Sequence, residues 1–228
     1  MIKAVLFDLD GTLLDRDASL RLFIKDQYRR YAHALHHIPE KAFKERFIHL
    51  DQRGYVWKDK VYKELIREYK IEGVTWEELL ADYVSKFQHS CTPFPNLALL
   101  LRLLQEKRMQ LGIITNGFTN FQTANLRALG LHQYIDAIFI SEQEGLKKPN
   151  PALFQRALCY LNVKPEESLY VGDHPDNDVR GARQAGMHAV WKRDPFWGEA
   201  FIGDDVVDDL LEIIAVIERY KSGTCRNK

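Results

Sequence analysis

The segment Ile2-Lys3-Ala4-Val5-Leu6-Phe7-Asp8-Leu9-Asp10-Gly11-Thr12 constrains the fold more than any other stretch of this chain. Its first half is a short apolar run, rich in β-branched and aromatic side chains, and reads as a buried strand. The run stops at two aspartates spaced two apart, and Gly11 lets the backbone turn sharply beneath them. In an open α/β sheet, ligands bind outside the carboxyl ends of the strands. Asp8 and Asp10 would then face a binding crevice. Taken alone they could equally be turn residues that finish a strand, since Asp and Gly are common there; the rest of the chain decides between the two.

Four more strand-like runs follow, each paired with a helical stretch. The strands read as Gln110–Thr115, Ala137–Ile140, Ser168–Gly172 and His188–Trp191. Helices are expected over about 97–108, from an N-cap at Thr119 to Leu129, over 151–160, from Asp176 to Ala185, and over 205–220. Gly130 and Gly186 read as helix stops, and the polar tail from Ser222 reads as loose. This alternation argues a parallel sheet covered on both faces. Residues 16–92 have a different texture: successive amphipathic helices at roughly 18–37, 40–50, 57–70 and 76–89, with no strand signal between them. Leu20, Phe23, Ile24, Gln27 and Tyr31 approximate one stripe, and Tyr62, Leu65, Ile66 and Tyr69 another. Tyr28, Tyr31, Phe43 and Phe47 read as core of this helical insertion. The expected division is therefore 1–15 with 93–228 as one α/β domain, interrupted by 16–92.

Composition narrows the function. The chain has 228 residues, 46% hydrophobic and 28% charged, enough for a sizeable core and too apolar for disorder. Lysine plus arginine equal aspartate plus glutamate at 32 each, so nothing demands nucleic acid or an anionic membrane as partner. Cys91, Cys159 and Cys225 are an odd, scattered set without metal-ligand spacing, which disfavours a disulfide framework or a zinc site. The opening apolar run is too short for a signal peptide and no run approaches a membrane span. The expectation is a soluble cytoplasmic protein, monomeric or homodimeric.

Three further features fall at expected carboxyl ends of strands: Thr115-Asn116-Gly117, Lys147-Lys148-Pro149, and Gly172-Asp173-His174-Pro175-Asp176-Asn177-Asp178. One sheet edge would thus gather Asp8, Asp10, Thr115, Lys148, Asp173 and Asp178. Two like charges ~4 Å apart repel by roughly 4 kcal/mol at an effective dielectric of ~20. A cluster of carboxylates therefore calls for positive charge, and a hard divalent cation, Mg²⁺, together with Lys148 supplies it economically.

The set Asp8-x-Asp10-Gly11-Thr12, Thr115, Lys148-Pro149 and Gly172-Asp173-x4-Asp178 resembles, in order, the four motifs of the haloacid dehalogenase-like (HAD) hydrolase superfamily. The helical insertion resembles that of its helical-cap phosphatase subfamily, which includes phosphoglycolate phosphatase, β-phosphoglucomutase and nucleotidases. The resemblance implies a Rossmann-like three-layer sandwich with a parallel sheet and an inserted all-helical cap. It implies Asp8 as nucleophile, Asp10 as general acid and base, and Thr115, Asn116 and Lys148 as phosphate-binding groups. It implies Mg²⁺ on Asp8, Asp10 (through its backbone carbonyl) and Asp173, with Asp178 acting through a water or through Lys148. Dehalogenases of this fold resemble Asp-x-Tyr, because a halide needs no proton; Asp10 therefore favours a small phosphate ester as substrate. A phosphomutase uses the same residues, and an inactive scaffold would have lost one of them.

The insertion carries 15 Lys/Arg against 12 Asp/Glu, and five of the eight histidines. A mildly cationic lid suits an anionic substrate, although a solvated helical surface has the same composition. The loop Asp51-Gln52-Arg53-Gly54-Tyr55-Val56-Trp57-Lys58 is the candidate for substrate choice, with Arg53 its leading residue. Asp15, Arg16 and Asp17 read as hinge and helix start, His174 as a bystander, and Asp176 as the opening of a helix.

Overall fold

A computed structural model describes residues 1–198 and 203–221 of the chain. The chain divides into two compact units, Met1–Asp15 with Pro93–Lys228, and Arg16–Thr92. Among the described residues no helix is long and apolar enough to cross a membrane. The tail from Ser222, and Cys225 with it, lies outside the described residues.

The first unit is built on six parallel strands: β1 (Ala4–Phe7), β2 (Gln110–Thr115), β3 (Ala137–Ile140), β4 (Ser168–Gly172), β5 (His188–Lys192) and β6 (Asp205–Val207), in the order β3-β2-β1-β4-β5-β6. The chain runs outward from β1 to β3, then returns to place β4 on the other side of β1. The order reverses there, so β1 and β4 flank the crevice where open α/β sheets bind ligands. Buried on both sides and both faces, Ala4, Val5, Leu6 and Phe7 are all 0% exposed, which is why β1 is apolar throughout rather than alternating. The register pairs Phe7 with Ile113 on one flank and Val171 on the other. On this register β4 ends at Gly172, level with Asp8, and β2 runs one residue further, to Thr115.

On one face of the sheet, Leu6, Tyr170 and Trp191 pack in a cluster with Leu153, Phe154 and Leu158 of the helix Pro151–Leu161. The helix Leu97–Glu106 buries Leu97, Leu100, Leu101 and Leu104. Gly181 lets its helix approach closely, because a Cβ there would stand 2.8 Å from Phe154 and 3.1 Å from the Pro149 backbone.

Several expected boundaries shift. Residues 205–220 are not one helix: Asp205–Val207 add as the edge strand β6 beside β5, and the helix starts at Glu212. Three residues are too few for a clear period-two signal, and only an adjacent strand edge makes them a strand. Thr119 is the first helical residue rather than the cap; Phe118 precedes it, and the Thr119 N–H donates to a Glu142 carboxylate oxygen of the short helix Ser141–Glu144 at 2.8 Å. The stretch after β4 is a wide π-type turn, Pro175–Arg180, continued by Gly181–Gln184. The expected 18–37 helix breaks at Tyr31, dividing into Arg16–Arg30 and Ala32–Leu35. The 76–89 helix stops at Lys86 and tightens into a short turn, Phe87–Ser90.

The second unit packs the helices Arg16–Arg30, Glu40–Asp51, Lys58–Tyr69 and Trp76–Lys86. Phe23, Phe43, Phe47, Tyr62, Tyr83 and Phe87 form its interior, with Phe23 edge-on to Tyr83 at 5.2 Å and Phe47 edge-on to Tyr62 at 5.4 Å. Thr75 and Glu78 make a reciprocal capping box on the last of these helices. The 51–58 loop is tied at both ends. Asp51 and Lys58 are each 1% exposed and ion-paired, and Arg16 Nη2 donates to Asp51 Oδ2 at 2.8 Å.

Candidate active site

Asp8 is the residue at which β1 stops. Its backbone N–H donates to the Val171 carbonyl at 2.9 Å, so the sheet itself holds its backbone. The next turn folds back tightly: the N–H groups of Leu13 and Leu14 both reach the Leu9 carbonyl, at 3.0 and 2.9 Å. Gly11 makes that turn possible and also makes room. Its φ is +86°, and a Cβ would lie 2.6 Å from the Asp173 carboxylate. The first and last motifs thus meet across a gap that only hydrogen can fill.

Lys148 joins them. Its ammonium donates to Asp8 Oδ1 at 2.6 Å, to Asp178 Oδ1 at 2.6 Å and to the Tyr170 hydroxyl at 3.0 Å. A lysine has three N–H donors, and each has an acceptor here. Lys148 is 3% exposed, whereas Lys147 is exposed. Asn116 fixes the Lys148 backbone from both sides, accepting its N–H at 2.9 Å and donating to its carbonyl at 3.1 Å. Asp178 is 0% exposed, and its second oxygen accepts the His174 N–H at 2.9 Å. Gly172 is required beneath it, since a Cβ there would overlap the Asp178 side chain.

Asp173 is 6% exposed and held on two sides: its backbone carbonyl accepts from the Trp191 indole at 2.7 Å, and Thr12 Oγ1 lies 3.4 Å from its Oδ1. One carboxylate oxygen each from Asp8, Asp173 and Asp178 lie within 4.8 Å of one another. The Asp10 carboxylate stands outside that group, so Asp10 could offer a cation there only its backbone carbonyl. Gln122 instead donates to Asp10 Oδ2 at 2.6 Å and to Thr115 Oγ1 at 2.8 Å. His174 accepts the N–H groups of Asp176 and Asn177 on Nδ1, at 3.1 and 3.2 Å, and its ring stacks on Trp197. Arg53 belongs to the helical unit, where its guanidinium pairs with Asp17 at 3.1 Å.

The electrostatics follow from burial. Burial raises the Asp8 pKa well above the ordinary carboxylate value; Lys148 opposes this, and Asp178 and Asp173 add to it. Burial also works against the Lys148 ammonium, but Asp178 and Asp8 outweigh it and hold its pKa above the ordinary lysine value. Lys148 is shared between Asp8 and Asp178, with the Asp173 carboxylate beside them, a gathering of negative charge that a further cation would relieve.

A family profile described as haloacid dehalogenase-like hydrolase matches residues 5–192, a span that includes Asp8, Asp10, Thr115, Lys148, Asp173 and Asp178. The chain is a haloacid dehalogenase-like hydrolase. Among its relatives, the glyceraldehyde 3-phosphate phosphatase of Pyrococcus furiosus is 31% identical over 96% of this chain and 94% of that protein. A HAD phosphatase from Thermococcus onnurineus superposes with a TM-score of 0.67 at 28% identity, covering 95% of this chain and 98% of that one. The magnesium-bound HAD-hydrolase YfnB of Bacillus subtilis shares the fold, with a TM-score of 0.75 at 24% identity over 95% of this chain and 98% of its own.

Three residues of this hydrolase site escape sequence reasoning. Tyr170 stands in a run otherwise buried and apolar, and its hydroxyl, 3.1 Å from the Ile114 carbonyl, is the third acceptor of Lys148. A phenol inside such a strand must find a partner, and that was the available signal. Gln122 and Asn125 lie three apart on the buried face of their helix, where polar side chains are out of pattern.

Proposed function

We propose that this hydrolase is a Mg²⁺-dependent phosphatase that cleaves a small phosphomonoester through a phosphorylated Asp8. The observation that carries the reading is the buried Lys148 ammonium shared between Asp8 and Asp178, with Asp173 beside them and Asp10 two residues on. The donor set suits a hard cation: the clustered side-chain atoms are all carboxylate oxygens. Asp8, Asp173 and the Asp10 carbonyl would hold the ion, because both Asp178 oxygens already have N–H partners. When bound, the ion would neutralise charge on the phosphoryl oxygens and keep Asp8 ionised.

An Asp8 carboxylate oxygen attacks phosphorus as the bond to the ester oxygen breaks, and Asp10 delivers its proton to that leaving oxygen. Asp10, now a carboxylate, takes a proton from the water that attacks the acyl phosphate. The Asp8–phosphorus bond breaks and inorganic phosphate leaves. Lys148, held by three acceptors, keeps the Asp8 side chain in place and balances charge as the phosphoryl group moves. Thr115 and backbone N–H groups of the turn after Asp8 would receive phosphoryl oxygens. Asp10 also separates this reading from dehalogenation, whose leaving halide needs no proton.

The test is release of inorganic phosphate from a panel of triose, sugar, amino-acid and nucleoside phosphates, with magnesium and with a chelator. Asp8→Asn is expected to abolish release while leaving the far-ultraviolet dichroism unchanged. Release that persists in Asp8→Asn, or in full chelator, overturns the reading.

A further inference from the structure

Gln122 touches both Asp10 and Thr115, yet no motif of the family resemblance contains it. Its amide nitrogen lies 2.6 Å from Asp10 Oδ2, 2.8 Å from Thr115 Oγ1 and 3.3 Å from the Asn116 carbonyl. Its amide oxygen accepts from Asn125 Nδ2 at 3.1 Å. Gln122 is 2% exposed and Asn125 0%, so water does not compete for these groups. Gly117 makes the space, since a Cβ there would press to 2.9 Å on Gln122 Cγ.

Only one orientation of the amide satisfies all of its neighbours. Turned over, its oxygen would face the Asn116 backbone carbonyl, which can only accept, leaving acceptor against acceptor. The NH₂ therefore points at Asp10. An amide NH₂ can only donate, so Asp10 Oδ2 can only accept. When Asp10 carries a proton, that proton sits on Oδ1.

We propose that Gln122 is a positioning residue for Asp10: it confines the acid proton to Oδ1 and fixes the plane of the carboxyl group. The assignment rests on the phosphatase reading above, in which Asp10 protonates the leaving oxygen. It follows that losing the Gln122 donor harms the reaction in proportion to how badly the leaving group needs a proton. An alkoxide needs one; p-nitrophenolate does not.

The experiment measures kcat/KM for the full-length protein, with magnesium, on p-nitrophenyl phosphate, on less activated aryl phosphates and on an alkyl phosphate. The parameter kcat/KM covers the steps up to alcohol release, so it excludes the later water attack. General acid catalysis contributes roughly 10²- to 10⁴-fold, so Gln122→Met is expected to lose at least about tenfold more on the alkyl ester than on p-nitrophenyl phosphate. The plot of log kcat/KM against leaving-group pKa should steepen accordingly. Gln122→Glu keeps the side-chain shape but replaces the donor by an acceptor; it should steepen the plot too, and it serves if Gln122→Met does not fold. Equal losses on all esters, in variants of a wild-type protein that cleaves them, overturn the assignment and leave the phosphatase reading standing. A wild-type protein that cleaves none of them overturns both.

Discussion

Replacing Lys148 by methionine tests the electrostatics of the site directly, because it keeps the volume and removes the charge. The three groups involved are nearly dry: Lys148 is 3% exposed, Asp8 7% and Asp178 0%. The two ion pairs are 2.6 Å each. Removing one partner of such a buried set costs about 3–5 kcal/mol, since the remaining charges keep their desolvation and lose their compensation. At roughly 2–4 °C per kcal/mol for a chain of this size, the melting temperature should fall by about 6–20 °C.

The pH dependence has a definite sign. Burial already raises the Asp8 pKa and Lys148 opposes that rise, so the variant raises it further. The folded variant then holds a proton that the unfolded chain releases near pH ~4, and its stability drops as pH climbs from there toward the raised value. Guanidinium unfolding in chelator at about pH 5 and pH 7.5 should show the deficit against wild type widening with pH. Adding Asp178→Asn to Lys148→Met should recover part of the loss by removing one uncompensated carboxylate. A deficit below about 1 kcal/mol, the range of an exposed pair, or one that does not change with pH, would refute the buried-triad reasoning.

Three further outcomes are expected. Gly11→Ala should fold but turn over about 10²-fold more slowly, because the new Cβ must push the Asp173 carboxylate off a position 2.6 Å away and displacements near 1 Å carry losses of that order; unchanged kinetics would contradict the steric argument. In the helical unit, Gln27→Leu leaves the buried Tyr62 hydroxyl without the oxygen now 2.7 Å from it, at a cost of about 1–3 kcal/mol. Adding Tyr62→Phe should recover most of that in denaturant unfolding, and no recovery would mean the hydroxyl was not the cause. Lys192 is buried over the Phe94 ring, and burial pulls its pKa below the ordinary lysine value. The unfolded chain then holds its proton to higher pH than the folded one, so wild-type stability should gain, as pH rises through that interval, a contribution absent from Lys192→Met. Parallel unfolding curves for the two proteins across alkaline pH would contradict this.

Some of this protein could be read without coordinates. The run from Ala4 to Phe7 is apolar at every position, which only a strand with neighbours on both sides needs, and the observed β1 is that strand. The same logic finds β2, β3, β4 and β5, and puts Asp8, Thr115 and Asp173 where strands end. Local chemistry thus determined the parallel α/β fold, the helical insertion and the motifs that carry the family resemblance.

Tertiary structure decided what local chemistry leaves open. Asp205–Val207 is a strand because β5 offers it an edge. The chain places Lys148 and Lys147 side by side, and only the fold buries the first between two carboxylates and leaves the second in solvent. Asp51 and Lys58 look like loop residues until Arg16 and the helical packing enclose them. Tyr170 and Gln122 are polar residues at buried positions with partners in other elements, as far as 112 residues away for Gln122 and Asp10. A hydrogen bond between such residues depends on where two elements end in space, and periodicity within either one carries no record of that distance.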